Sequence, residues 1–467
     1  MNIDFRNVSF TYPDKESGAL KDINLHIGQG EFVLLTGASG CGKTTITRML
    51  NGLIPGFYGG EIDGKVLLDG RDIREYKSYE IASIVGSVFQ NPRTQFFNVD
   101  TDSEITFGLE NAGVPAKEIN TVLEKVTKEL QLKNLRGRDI FKLSGGEKQK
   151  IAFASVYASA PELYLMDEPS ANLDMAGIDA LKKCLEKIKT EGKTIVIAEH
   201  RLYYLTSLVD RVIYLKDGRI EKEMDGDTFR SMSVEALNQM GLRTNCYFKA
   251  TDKGSREYKQ IADGESLGLR ALSIDYGKRR ILNKLNHDFY KGRVCCVTGR
   301  NGIGKSTLLR TVCGFIKGSE GSIIMNGKSI SSKELKKKAF MVMQDVNYQL
   351  FADSVLNECI LGTEEKSRDM AEKVLEEMGL LAFESLHPNT LSGGQKQRLA
   401  IAVSLMMDKE ILLFDEPTSG LDYKNMCLCA DFLKQLADIG KIVIVVTHDE
   451  EFIDLCCDEI YNLADDA

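Results

Sequence analysis

One half of this chain is a copy of the other, and that duplication limits the fold more than any other feature. Gly37-Ala-Ser-Gly-Cys-Gly-Lys-Thr44 returns as Gly299-Arg-Asn-Gly-Ile-Gly-Lys-Ser306. Leu143-Ser-Gly-Gly-Glu-Lys-Gln149 returns as Leu391-Ser-Gly-Gly-Gln-Lys-Gln397, and Met166-Asp-Glu-Pro169 as Phe414-Asp-Glu-Pro417. Ser144 precedes Asp167 by 23 positions, as Ser392 precedes Asp415; Glu168 precedes His200 by 32, as Glu416 precedes His448. Several motifs in one order at one spacing imply two domains of one fold. They are expected over residues 1–228 and 265–467, joined by a polar connector over 229–264 whose short helix near Ser233–Met240 is expected to pack on one of the domains.

Each glycine loop stands in a context that gives it chemistry. Phe32–Thr36 and Val294–Thr298 are short apolar runs that read as strands, and Ile46, Met49, Leu50 and Leu53 after the first loop fall at helical spacing, as do Leu309, Val312, Cys313 and Ile316 after the second. A glycine loop between a strand and a helix N-terminus is a phosphate cradle. Gly37, Gly40 and Gly42, with Gly299, Gly302 and Gly304, let the backbone wrap an anion without Cβ clashes, and the helix dipole favours the charge. Lys43 and Lys305 are expected to reach the β and γ phosphates, and Thr44 and Ser306 to offer a hydroxyl to Mg²⁺. A glycine turn that binds nothing is the alternative for one such loop, and the second copy argues against it.

Leu163–Met166 and Ile411–Phe414 read as buried strands, each ending in Asp-Glu-Pro. Carboxylates at strand C-termini of an open α/β sheet lie beside the ligand crevice. Asp167 and Asp415 are expected to hold Mg²⁺ through water; Glu168 and Glu416, pointing elsewhere by strand alternation, are expected to polarise the attacking water. His200 and His448 close two further apolar runs and are read as contacts of the γ-phosphate. Capping of the following helix is the alternative reading of the acids, and a polar strand terminus that of the histidines.

The two Leu-Ser-Gly-Gly segments, with the loops above, make the chain resemble the ABC ATPase family over nearly its whole length. The resemblance implies an α/β fold of two P-loop NTPase (ABC-type nucleotide-binding) domains fused head to tail, binding ATP and Mg²⁺. It implies two composite sites in which each signature grips the γ-phosphate held by the opposite domain. One combines Lys43, Thr44, Gln90, Asp167, Glu168 and His200 with Ser392 and Gly394; the other combines Lys305, Ser306, Gln344, Asp415, Glu416 and His448 with Ser144 and Gly146. Gln90 and Gln344 match the family's metal-contacting glutamine, and Tyr12 and Tyr276 stand where the family stacks an aromatic on adenine, with core packing as their alternative. Every catalytic residue type is present twice, so two competent sites are expected, with Glu147 against Gln395 as a point of asymmetry.

A narrower resemblance rests on Asn51-Gly-Leu-Ile-Pro-Gly-Phe-Tyr58, Phe89-Gln-Asn-Pro-Arg-Thr-Gln95, Glu104-Ile-Thr-Phe-Gly108 and Glu199-His-Arg-Leu202. These segments look like the fused ATPase subunits of energy-coupling-factor importers. That implies uptake of a vitamin, a vitamin precursor or a metal ion, an integral membrane coupling protein, and a small substrate-capturing membrane protein as partners. Glu104 and Glu358 are candidates to receive an Arg from the coupling protein, or are plain solvent-exposed acids. The runner-up readings are a tandem sugar-importer ATPase, which often loses catalytic residues in one half, and a soluble ABC factor acting on ribosomes, which usually carries a longer basic linker.

Composition narrows the rest. No stretch approaches the roughly 18 apolar residues of a spanning helix, and Met1–Phe5 begins no secretory signal. A position at the cytoplasmic face of a membrane, held by a partner, is therefore expected. The net charge of −8 argues against nucleic acid as a partner. The Cys residues form no CxxC pair and the His residues are scattered, so reduced thiols and no zinc site are expected. Cys41, inside the first glycine loop, reads as a redox brake or an innocuous spacer.

Overall fold

The apolar runs before the glycine loops become the strands Phe32–Gly37 and Val294–Thr298, each inside a parallel sheet. In the computed structural model, which describes the chain except for residues 14–17, 91, 172, 251–264, 278, 364–367 and 465–467, both strands are buried on both faces. Phe32 and Leu34 enter one core while Val33 and Leu35 enter another; Val294 and Cys296 likewise part from Cys295 and Val297. A doubly covered strand needs an unbroken apolar run, and each aliphatic side chain buried in this way stabilises by about 1.5–3 kcal/mol.

The chain forms two compact units, 1–247 and 248–467. In the first, the sheet order is Val85–Val88, Leu163–Asp167, Thr194–Ala198, Phe32–Gly37, Arg211–Lys216, all parallel, with Arg219–Asp225 antiparallel at the edge. A small antiparallel sheet built on Ile3–Thr11, Leu20–Ile27 and Glu61–Leu68 covers one face. The helices Thr101–Asn111, Gly145–Ala158 and Met175–Thr190 contribute to the core on the other. The second unit repeats the parallel order with Ala339–Val342, Ile411–Asp415, Ile442–Val446, Val294–Thr298 and Glu459–Asn462. Its antiparallel cover is built on Ser266–Tyr276, Arg279–Tyr290 and Glu320–Met325. Parallel pairing brings every strand C-terminus to one edge, where the glycine loop, the acids and the histidine of each unit gather.

Two expectations change. The helix after the first loop runs only Lys43–Leu50, because Gly52 at φ 73° turns the chain before Leu53; the second runs Lys305–Val312, leaving Ile316 beyond it. The helix near Ser233–Met240 packs on a domain as the sequence suggested, but the whole of 229–247, placed in the connector, belongs to the first unit. Phe229, Leu237 and Leu242 are buried in its core, and Tyr214 donates to the Met240 carbonyl at 2.7 Å. The short helix is Val234–Gln239, capped by Ser233. The remainder of the expected connector, 251–264, lies outside the described residues. Among the described residues no helix is long and apolar enough to cross a membrane.

Candidate active sites

Each glycine loop folds around its own lysine. Lys43 Nζ donates to the carbonyls of Gly37 at 2.9 Å and Ala38 at 3.0 Å; Lys305 Nζ donates to those of Gly299 at 2.7 Å and Arg300 at 3.2 Å. Gly42 and Gly304 begin the helices at φ 111° and 117°. A Cβ there would lie 2.7 Å from Leu20 and 2.8 Å from Leu282, so only glycine keeps this turn. At Gly40 and Gly302 a Cβ would meet nothing within 4 Å, leaving the mouth of each loop open.

The acids follow directly. Thr44 Oγ1 donates to Asp167 Oδ1 at 3.4 Å. Burial raises the pKa of Asp167 and of Asp415, against the opposing hydrogen bonds of Thr44 and Ser306. Glu168 and Glu416 lie one residue past their strands at φ 47° and 51°, in the left-handed region that non-glycine residues seldom adopt. Their amides still donate to Ala198 and Val446 at 2.8 Å, so this backbone turn, rather than simple strand alternation, aims the carboxyls. Backbone strain of this kind gathers at functional sites. Burial, with Asp167 and Glu199 nearby, pushes the Glu168 carboxyl well above the usual carboxylate range.

In both units the sensor histidine approaches its glutamate. Gln90 Nε2 donates to Glu168 Oε2 at 2.6 Å, and His200 Nε2 approaches Glu168 Oε1 at 3.6 Å. Burial, then Lys43 and Arg243, hold His200 well below the usual imidazole range. Both shifts favour the neutral form of their group, which weakens that approach as an ion pair. In the second unit His448 Nε2 approaches Glu416 Oε1 at 3.7 Å and lies 2.8 Å from Lys305 Nζ, and Thr447 Oγ1 donates to Glu416 Oε2 at 3.2 Å.

The structure adds residues to which the sequence reading gave no role. Glu199 is buried and accepts from the amides of His200 at 2.8 Å, Arg201 at 3.1 Å and Ser170 at 3.3 Å, and from the Tyr204 hydroxyl at 2.9 Å. It fixes the backbone on both sides of the site. Asp449 serves the second unit, accepting from Thr418 Oγ1 at 3.0 Å. The adjacency of Glu199 to His200 was the available signal. Gln95 and Gln349 each bridge the amide and carbonyl of neighbouring strand and loop residues, which sets the course of both glutamine loops.

Ser144 and Ser392 cap the helices Gly145–Ala158 and Gly393–Met406, each in a capping box. The expected asymmetry has a physical form: Glu147 holds the Ser144 amide at 2.8 Å and pairs with Arg138 at 3.1 Å, whereas the neutral Gln395 accepts from the Ser392 amide at 2.8 Å. Gly146 and Gly394 lie in the first turns of these helices. The tyrosines also differ. Tyr12 is half-buried, edge-on to Phe10 at 4.7 Å, and its hydroxyl accepts from Arg48 at 3.0 Å; Tyr276 stands 75% exposed. Glu104 and Glu358 are not the exposed acids offered as their alternative: both are buried, Glu104 Oε2 accepting from the amides of Phe97 and Asn98, and Glu358 Oε2 from those of Phe351 and Ala352.

A phosphate chain and a divalent cation fit this arrangement. The loop mouth is open, a lysine waits beside it, and a hydroxyl and a buried carboxyl lie next to each other as oxygen ligands for a cation. The family model described as "ABC transporter" matches residues 20–171 and 282–419. A Treponema denticola protein named "Putative ABC transporter ATP-binding protein" is 47% identical over 99% of this chain and 95% of its own length. The chain belongs to the ABC transporter family. It is a tandem ABC ATPase, the ATP-binding subunit of a transporter, and it binds and hydrolyses ATP with Mg²⁺. A Bacillus subtilis relative named "Putative HMP/thiamine import ATP-binding protein YkoD" is 31% identical over 98% of this chain and 89% of its own length. The solved structure "Model of ribosome-bound archaeal Pelota and ABCE1" matches at TM-score 0.70 and 22% identity over 97% of this chain and 76% of that one, a likeness of fold alone.

Proposed function

We propose that this chain is the motor subunit of an energy-coupling-factor-type importer. It would power uptake of a vitamin, vitamin precursor or metal ion from the cytoplasmic face of the membrane, through an integral coupling protein and a small substrate-capturing membrane protein. The observation that supports this reading best is an open groove in the first unit beside the glutamine loop. Gln95, Phe97, Glu104, Phe107, Gly108 and Ser159 line it. Phe97 is 75% exposed and stacks on Phe107 at 5.0 Å, so an aromatic wall stands ready for a partner's helix, with the buried Glu104 holding the Phe97 and Asn98 amides behind it. The relative named for thiamine import supports the vitamin-type substrate. The full catalytic set in both units favours this reading over a sugar-importer ATPase.

The residues in hand suggest the cycle. Lys43 and Lys305 leave their loop carbonyls for the β and γ phosphates of ATP. Asp167 with Thr44, and Asp415 with Ser306, would hold Mg²⁺, as would Gln90 and Gln344; the ion when bound supplies charge neutralisation to the phosphate oxygens. Glu168 and Glu416 orient and deprotonate the attacking water, and His200 and His448 hydrogen-bond the γ-phosphate. Each signature, Ser144 with Gly146 and Ser392 with Gly394, gains a phosphate partner only when the two units close on ATP. Hydrolysis removes that partner, so nucleotide shifts a two-state equilibrium by differential affinity.

The test is a tagged pull-down from membranes in mild detergent. Small integral membrane proteins in stoichiometric amounts support the importer reading; ribosomal proteins in their place refute it. Two competent sites further require that Glu416→Gln slow hydrolysis strongly and leave ATP binding intact. An unchanged rate would refute that claim.

A further inference from the structure

We propose that the second unit holds a zinc-type metal site formed by His287, Cys295 and Glu459, apart from the ATP chemistry. The three residues come from three strands: His287 from Arg279–Tyr290 of the antiparallel sheet, Cys295 from the phosphate-loop strand, and Glu459 from its parallel neighbour. Cys295 and Glu459 are register partners, so their side chains leave the sheet on the same face, toward His287. One ligand atom from each lies within 4.8 Å of the others. The gap between Cys295 Sγ and His287 Nε2 is 3.7 Å. Tetrahedral zinc, with bonds of about 2.3 Å to sulfur and about 2.0–2.1 Å to nitrogen, sets these two atoms about 3.6 Å apart.

The supporting groups hold this geometry. The His287 ring stacks on Tyr461 at 4.0 Å and 8°, and meets Phe289 edge-on at 4.7 Å, which fixes its plane. Arg293 pairs with Glu459 through Oε1 and anchors that side chain. Imidazole, thiolate and carboxylate together suit a borderline-soft divalent ion rather than Mg²⁺, which seeks oxygen alone. Glu459 is 22% exposed, so water can complete the fourth position. On binding, the Cys295 thiol releases its proton to solvent and the thiolate takes the metal. Cys295 lies near the start of the strand Val294–Thr298, four residues before Gly299 and about 13 Å from it by strand rise.

The duplication supplies the contrast. By the offset that places Lys43 on Lys305, His287 falls on Leu25 and Cys295 on Val33; Glu459, the partner of Cys295, corresponds to Arg211, the partner of Val33. The first unit thus has an apolar pair and an ion pair of reversed sense, Arg211 with Glu31, at the matching place. The same packing is kept with neither imidazole nor thiol at these positions, so the fold does not require this trio.

The test uses the full chain stripped by chelator, in excess Mg²⁺, with Zn²⁺ titrated against a chromophoric chelator and Co²⁺ as a spectroscopic probe. One equivalent of Zn²⁺ per chain is expected, with a tetrahedral Co²⁺ spectrum that includes a thiolate charge-transfer band. Cys295→Val and His287→Leu import the residues of the first unit, and each should weaken Zn²⁺ at least tenfold while the metal-free melting curve stays near the parent's. Cys246→Ser, at an exposed thiol, should leave the band in place. Absence of the band in the parent chain overturns the proposal without recourse to any variant. So does parental Zn²⁺ affinity in Cys295→Val, or loss of the band in Cys246→Ser.

Discussion

Glu168→Gln should make the nucleotide-free chain more stable at high pH while disabling hydrolysis. Burial beside Asp167 and Glu199 raises the Glu168 pKa well above its ordinary value of 4.5. Between that value and the folded one, the folded unit keeps a proton that the unfolded chain has released. Stability from this group is therefore full at low pH and falls as pH rises across the window, by about 1.4 kcal/mol per pH unit. Glutamine has no proton to lose and can still meet Gln90 and His200, so its curve lacks that fall. About 1 kcal/mol moves the melting temperature of a unit of this size by about 2–4 °C. Calorimetric melting from pH 4.5 to 8 without nucleotide should show parent and variant together at the acid end, with the variant melting higher as pH rises. Hydrolysis should fall by about 10²- to 10⁴-fold, the usual cost of a lost base. A variant that melts with the parent's pH dependence would refute the claim that burial raises the pKa of this carboxyl.

Other perturbations read other parts of the structure. In Gly37→Ala the new Cβ would lie 2.1 Å from the Leu215 carbonyl oxygen, whereas in Gly299→Ala the nearest atom is the movable Ile303 side chain at 3.1 Å. Urea unfolding should place the first at or beyond the top of the roughly 1–3 kcal/mol range of overpacking and the second clearly below it. Cys41 is buried, and burial raises its thiol pKa despite Lys43; iodoacetamide on the folded chain, read by peptide mass spectrometry, should label Cys246 and spare Cys41. Glu104→Ala leaves the amides of Phe97 and Asn98 without their acceptor, at a cost of about 1–3 kcal/mol. Basal ATPase of the purified chain should survive that change, while hydrogen exchange at residues 95–99 should rise.

Much of the site was legible in the sequence because its chemistry is local. A glycine loop carries its own lysine and hydroxyl within eight residues, and Asp167 and Glu168 are chain neighbours, so the motif brings its geometry with it. The strands were legible as well, since burial on both faces leaves an unbroken apolar run. The short helix after the connector's start was visible, but not which unit it joins, because the partners of Phe229, Leu237 and Leu242 come from elsewhere in the chain.

The sequence by itself determined the duplication, the loops and the family. Only the tertiary structure decided what depends on neighbours far apart in sequence. Whether Glu168 is charged rests on burial and on Glu199, 31 residues away. Its aim rests on a left-handed turn that no residue type announces. The scattered histidines and cysteines gave no metal spacing, yet His287, Cys295 and Glu459 converge because three strands bring them together. Spacing along the chain records chemistry within one loop or helix; sheet register creates the rest, and register exists only once the strands have paired.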